Sequence, residues 1–504
     1  MFEGGNLQRG AALLKLSAEE NWLQDFPLPT PLTAHVELPE SMDLQRLSVF
    51  LDHFRNSGYF FLSSDRLLSW QNGAAGARPP PTSLVNIIYF WAAHLEHRPT
   101  GEFLDAAIRH LPLDMQTAAS NSELLIETLQ AALLLSLYYL HATESTEGRY
   151  HATSAASLAF SAGLHQIYAG INTFYPSLFA LNGPVLAQPN DAQTTSERVD
   201  AFWSIVLVNS LWTAALGGYP ALASASGLSI DTPWPGGTRA GATIVKFLNR
   251  HEADGHSSFA LLVKASVLLE RVAEITTQDG IDAAAHDLLE QRLVSFEASL
   301  PRVQIHIPGI LDSPPSSFST SSTHSPLMTA HLFTNLALIR FYSFRQAADE
   351  LVDSFDLAPA SASSWRSKSM QAADRITELL SDLNREVGVS QAALLGPASL
   401  AAYEVYAAAL TPEPLAAALS LSSLNACPDP ADDDLRILEI QSRMQCLLHA
   451  MAAHAPHSAL SNHCWTLAMA TSTGQTMPVS ASASVSVSGT PSPPSFIMDE
   501  VLYS

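Results

Sequence analysis

Six side chains near the C-terminus are of the types that hold metal ions: Cys446, His449, His454, His457, His463 and Cys464. Thiolate sulfur and imidazole nitrogen are what a structural zinc ion takes, and the pair Cys446 and His449, three residues apart, would share one helical face. The remaining spacings match no zinc module, and the alternative is a helix with a buried cysteine followed by a histidine-containing loop around Pro456, so no metal ligand is assigned. Trp203, Trp212 and Trp234 could line a ligand pocket, although rings at helical spacing more commonly fill a core. There is no Walker loop, G-x-S-x-G elbow, H-E-x-x-H pair or Gly-rich dinucleotide fingerprint. The sequence therefore offers no catalytic residue, no cofactor-binding residue and no cofactor, and it reads as a non-enzyme.

The elements that would position these groups are helices. Leu125, Leu129, Leu133, Leu137 and Leu140 recur at helical spacing, and Ile126, Leu134, Leu135, Tyr138 and Tyr139 fill most other faces. Between Leu124 and Leu140 the only polar side chains are Glu127, Thr128, Gln130 and Ser136. A helix apolar nearly all round is either a membrane span or the centre of a large core. This run stops at His141, short of the ~20 residues a bilayer crossing needs, so a core helix is expected. A second helix over 149–160, rich in Ala and Ser, should pack closely against it after a polar break at 143–148. Gly148 is expected to take a positive φ in that break, so that Gly148→Val destabilises more than Gly170→Val.

Further helical patterns cover 44–54 with Asp43 as cap, 84–96 with Ser83, a stretch from Thr100 through His110, and 196–216. They continue at 251–275, 281–299, 327–352, 364–384, 392–409, 415–424 and 433–453. Residues 59–62 read as a short aromatic run followed by a Ser-Ser-Asp turn. No strand ladder is needed, and the expected class is all-α, a large multi-helix domain of antiparallel helix pairs. At 504 residues the chain exceeds what one hydrophobic core usually fills, so two helical subdomains or one extended array are expected. The expected divisions are an irregular leader at 1–40, helical halves at 41–240 and 241–470, and a disordered Ser/Thr/Pro-rich tail at 471–504. That tail closes on Phe496-Ile497-Met498-Asp499-Glu500-Val501-Leu502-Tyr503, which has the composition of a docking or activation segment.

Charge excludes one class of partner. Lys and Arg number 25 against 48 Asp and Glu, a net charge of −23, and Lys15, Lys246, Lys264 and Lys368 are the only lysines. No basic run could neutralise a phosphate backbone, so direct nucleic-acid binding is not expected, and anionic membranes are disfavoured equally. Cys427, Cys446 and Cys464 are too few, and odd in number, for a secreted disulfide scaffold, and no signal peptide is evident at the start. An intracellular protein is expected.

Three stretches together resemble the fungal-specific transcription factor regulatory domain, the middle homology region of zinc binuclear-cluster transcription factors. The first is Phe50-Leu51-Asp52-His53-Phe54 with Gly58-Tyr59-Phe60-Phe61-Leu62, then Pro80-Pro81 and the run from Leu84 to Trp91. The second is Glu147-Gly148-Arg149-Tyr150-His151, leading to Leu158-Ala159 and Gly163-Leu164-His165. The third is the run from Glu197 to Phe202-Trp203, then Leu216-Gly217-Gly218-Tyr219-Pro220, then Ile230-Asp231-Thr232-Pro233-Trp234-Pro235. Their order and spacing are similar to that family over about 40–240. The chain departs from it at Asn209-Ser210, where members often carry Asp-Arg, and in lacking the six-cysteine zinc module that reads DNA. What the resemblance implies is a nuclear, all-α regulatory domain that works through protein partners of the transcription machinery and can answer to a small-molecule effector. The competing expectation is a helical scaffold or adaptor unrelated to transcription.

Overall fold

A computed structural model describes residues 44–55, 57–71, 78–121, 124–167, 191–217, 229–238, 241–249, 254–277, 283–303, 324–353, 360–381, 389–411, 430–456 and 458–472, with the single positions 186 and 189. Among these residues there are fifteen α-helices and no strand, so the all-α class stands. The first six are α1 (Leu44–Phe54), α2 (Ser64–Gln71), α3 (Thr82–Leu95), α4 (Gly101–Ser120), α5 (Leu125–Ala142) and α6 (Ser145–Ser161). A 3-10 turn at Leu164–Gln166 precedes α7 (Ala192–Leu216), α8 (Thr243–Leu248), α9 (Ser258–Thr277) and α10 (Ala283–Ser299). The last five are α11 (His324–Asp353), α12 (Ala360–Ser381), α13 (Val389–Leu410), α14 (Pro430–His454) and α15 (Ala459–Ser472).

α5 is the centre of the core, as its apolar circumference requires. It packs on α3, α4, α6 and α7, and also on α13 and α15 from the far end of the chain. Its polar residues Glu127, Thr128, Gln130 and Ser136 are all fully buried, which is tolerable only if each is hydrogen-bonded. Thr128 Oγ1 donates to Leu124 O at 2.8 Å, and Ser136 Oγ donates to Gly148 O at 2.8 Å while accepting from Trp212 Nε1 at 2.9 Å. The partners of Glu127 and Gln130 belong to the site described below.

The α5–α6 connection corrects the expectation for Gly148. The reversal is made by Thr143, whose φ is 63°, with Thr143 N donating to Leu140 O at 3.3 Å and Glu144 N to Tyr139 O at 3.0 Å. Gly148 lies inside α6 and has no positive φ. Its glycine is needed for space: a Cβ there would fall within van der Waals contact of Trp212 Cζ2 and Cη2 and 2.9 Å from Tyr139 Cβ. Gly170 lies outside the described residues.

Other helix ends also differ from expectation. α3 begins at Thr82, and the N–H of Ser83 is satisfied by Asp114 Oδ2 of α4 at 2.9 Å. Thr100 does precede α4, without a capping side-chain hydrogen bond. α7 starts four residues before Ser196, because Asp191 caps it: its Oδ1 accepts from Thr194 N at 2.6 Å. α2, α8 and α15 occupy stretches with no helix expected. Asp43, the 415–424 helix, the 1–40 leader and the tail after Ser472 lie outside the described residues.

α7 packs on α5, α6, α9 and α13, so the core runs across position 240. Beyond it, α11 packs on α9, α10, α12 and α13, while α13 also meets α14 and α15. Among the described residues three helices are long and apolar enough to cross a membrane: Leu125–Ala142, which the sequence alone marks as too short, Ala192–Leu216 and a window at Ala393–Leu410. Their windows are 89%, 83% and 56% buried against the rest of the protein, so other helices already cover the first two.

Candidate functional site

The three motif stretches are brought together around α5 and α7. On one side is the segment from Ser57 to Gln71, which runs from the end of α1 through α2. Gln130 of α5 holds its backbone, accepting from Phe61 N at 2.9 Å through Oε1 and donating to Tyr59 O at 2.9 Å through Nε2. Ser204 Oγ of α7 donates to Gly58 O at 2.8 Å, and Ser63 N donates to Glu197 Oε1 at 3.0 Å. Arg66 of α2 then bridges two helices, with Nη1 2.6 Å from Glu197 Oε2 and Nη2 2.7 Å from Glu127 Oε1. Arg78 adds a second guanidinium at 2.7 Å from Glu127 Oε2. The Glu127 carboxylate is wholly shielded from water, so two cations and their hydrogen bonds are what make its burial affordable.

On the other side, residues 229–238 fold back on the end of α6. Asp231 N and Thr232 N donate to His165 O at 2.8 and 3.1 Å, and Thr232 Oγ1 donates to Leu164 O at 2.5 Å. This joins the second motif stretch to the third. Trp203 Nε1 of α7 donates to Pro233 O at 2.6 Å, and its ring stacks on Trp234 at 4.4 Å between centroids. Trp234 in turn meets Phe247 edge-on, and the buried Lys264 donates to Asp254 O and Gly255 O while lying 5.2 Å from the Trp234 ring. The three tryptophans are therefore core: Trp203 and Trp234 are closed in by rings, and Trp212 lies between α5 and α6. Asn209 and Ser210, where the resembling family often has Asp-Arg, are both buried and donate to Ile205 O and Val206 O of their own helix.

The cysteine–histidine group does not converge. Among the described residues no three of His, Cys, Asp or Glu come together to hold a metal. Cys446 and His449 sit on α14, which ends at His454 before Pro456, while His463 and Cys464 sit on α15; His457 and Cys427 lie outside the described residues. Burial pushes the Cys464 thiol up to about 12, the opposite of what a thiolate ligand requires.

A second buried polar joint lies in the C-terminal half. Arg340 of α11 donates to Thr213 O at 3.0 Å and to Ala214 O, satisfying the last carbonyls of α7. Burial lowers its pKa to about 10, partly offset by Glu404 of α13, whose own carboxyl burial raises. Asp374 of α12 accepts from Tyr406 of α13 at 2.8 Å and from Arg443 of α14. All these groups hold backbone or one another, and none forms a nucleophile–base pair.

Among the described residues a shallow groove between α4 and α6 is open to an outside molecule. Met115 forms one wall and Arg149, Tyr150, Thr153, Ser157 and Leu158 the other. Tyr150 is 64% exposed, a large ring standing in water. Arg149, Tyr150 and Leu158 belong to the second motif stretch, but nothing in the sequence says that Met115 of α4 comes to face them or that the face stays uncovered. The sequence reading also missed the carboxylate clamp, although Glu127 and Gln130, polar intruders in an otherwise apolar helix, were a visible signal for it. No protein-family model matches the chain, and neither a curated protein nor a solved structure matches it significantly.

Proposed function

We propose that this chain is a non-catalytic transcription-regulatory domain of the fungal-specific type, acting in the nucleus through protein partners and not by touching nucleic acid. The observation that carries the reading is the joint around α7. The three stretches that resemble the family, in the family's order, are also the ones that interlock through Ser204, Glu197, Trp203 and Thr232. A net charge of −23 supports the exclusion of nucleic acid, since neutralising phosphates needs clustered Lys and Arg. A small-molecule effector belongs to the same reading, with no residue assigned to it.

Tethering the full chain to an unrelated DNA-binding module upstream of a reporter tests the regulatory half. A change in transcription of several-fold in either direction is expected. A gel-shift series with the purified chain at low salt tests the other half and should show no retardation. An inert tether would favour the alternative, a helical adaptor, for which the exposed groove of α4 and α6 is the specific support. Tight DNA binding would overturn both.

A further inference from the structure

The groove between α4 and α6 has the chemistry to receive an acidic apolar segment. From Arg149 to Ser161, α6 carries no carboxylate, although the chain as a whole carries 48 against 25 bases. The groove offers Tyr150, Leu158 and Met115 as apolar contact, Thr153 and Ser157 as hydrogen-bonding rim, and the Arg149 guanidinium at one end. On a chain of net charge −23, a carboxylate-free helix face with a guanidinium at its end is a favourable place for such a segment.

The chain itself contains one. α15 ends at Ser472, and between there and Ser495 there is no charged and no aromatic residue. Then, within eight residues, come Phe496, Ile497, Met498, Val501, Leu502 and Tyr503 around the paired carboxylates Asp499 and Glu500. The 24 residues from Ser472 to Phe496 can span at most ~80 Å at roughly 3.3 Å each. The distance to cover is smaller: α15 packs on α5 and α5 on α6, and two helix diameters plus the whole ~27 Å length of α5 come to roughly 50 Å. A tethered segment meets its site at an effective concentration in the millimolar range, so even a weak docking surface would be substantially filled.

We propose that residues 496–503 dock in cis on the α4–α6 groove, with Asp499 and Glu500 toward Arg149 and the apolar side chains on Tyr150, Leu158 and Met115. The proposal does not rest on the regulatory reading, because an adaptor would use the same contact. Docking covers the exposed Tyr150 and leaves any outside partner of either surface in competition with the chain's own segment.

The test uses the full chain carrying Phe496→p-benzoylphenylalanine, prepared as an equal mixture of isotopically light and heavy copies and irradiated. Cross-links from position 496 are expected to fall on Met115 and on 149–158, within single copies. Arg149→Glu is expected to lower their yield at least threefold while the thermal melt stays unchanged, and adding Asp499→Arg and Glu500→Arg should restore it. Cross-links spread over other helices, or a yield indifferent to Arg149→Glu, would overturn the proposal. Light–heavy cross-links into the groove would also overturn it, in favour of a second copy as occupant. None of these outcomes bears on the tethered reporter, so failure here and failure of the regulatory reading are separable.

Discussion

At position 148 the α6 backbone runs so close to the Trp212 ring that any side chain must displace an aromatic which also donates to Ser136 on α5. Overpacking of this kind costs on the order of 1–3 kcal/mol. Gly148→Ala is therefore expected to lower the melting temperature clearly, and Gly148→Val to lower it further. Gly101, at the first position of α4 with nothing within 4 Å of its added Cβ, is the control. Gly101→Ala should be neutral or stabilising by up to about 1 kcal/mol, because it removes freedom only from the unfolded chain. Equal melts for Gly148→Ala and Gly101→Ala would refute the close approach. Two titrating groups give a pH signature of opposite signs. Burial lowers His151, stacked on Tyr139, to about 4, and nearby Glu147 only partly offsets this. Unfolding thus takes up a proton between about 4 and the ordinary histidine value near 6.5, and stability falls as pH is lowered through that window. Asp200, raised by burial to about 6, contributes stability when protonated, and that contribution is lost as pH rises from the ordinary carboxylate range through about 6. His151→Phe should flatten the acid side of the stability profile by about 1 kcal/mol at pH 5, and Asp200→Asn should stabilise selectively above pH 6. Urea midpoints measured from pH 4 to 8 read both.

The helices differ in how far their own residues announce them. α5 was legible because seventeen positions of near-continuous apolarity admit no other buried element, and α7, α9 and α11 because they too are apolar over many turns. α2 was not. Its Ser63-Ser64-Asp65 start is the chemistry of a turn and equally of a helix cap, and tertiary context decides: Ser63 N donates to Glu197 Oε1 and Arg66 pairs with Glu127 and Glu197. α15 was hidden by the same ambiguity after Pro456, where Ser458 Oγ accepts from Ser461 N at 3.4 Å. Gly148 was misread because a glycine needed for space and one needed for φ look identical in a sequence. The α4–α6 groove was illegible for a different reason, since it is defined by what fails to cover two helices. At this scale α2 depends on its clamp, and its partners are unequal. Arg66 and Arg78 retain side-chain exposures of 27% and 30% and can turn to water, whereas Glu127 at 0% cannot. Removing both arginines should cost about 3–5 kcal/mol by stranding a buried carboxylate, while Glu127→Gln should cost less. Chemical denaturation would order the variants, and a milder loss for the double arginine variant than for Glu127→Gln would contradict the clamp.

Taken whole, the polar joints around α5, α7, α11 and α13 engage backbone and each other. α5 shows what that arrangement demands in time. Its partners α3 and α4 precede it, yet α13 and α15 arrive roughly 250 to 320 residues after it. At ~5–20 residues per second of synthesis, an all-round apolar helix must wait on the order of 15–60 s before its last faces can be covered. During that interval the growing chain presents the part of α5 that α13 and α15 later cover, so its yield on synthesis should depend on chaperones and on growth temperature more than its final stability suggests.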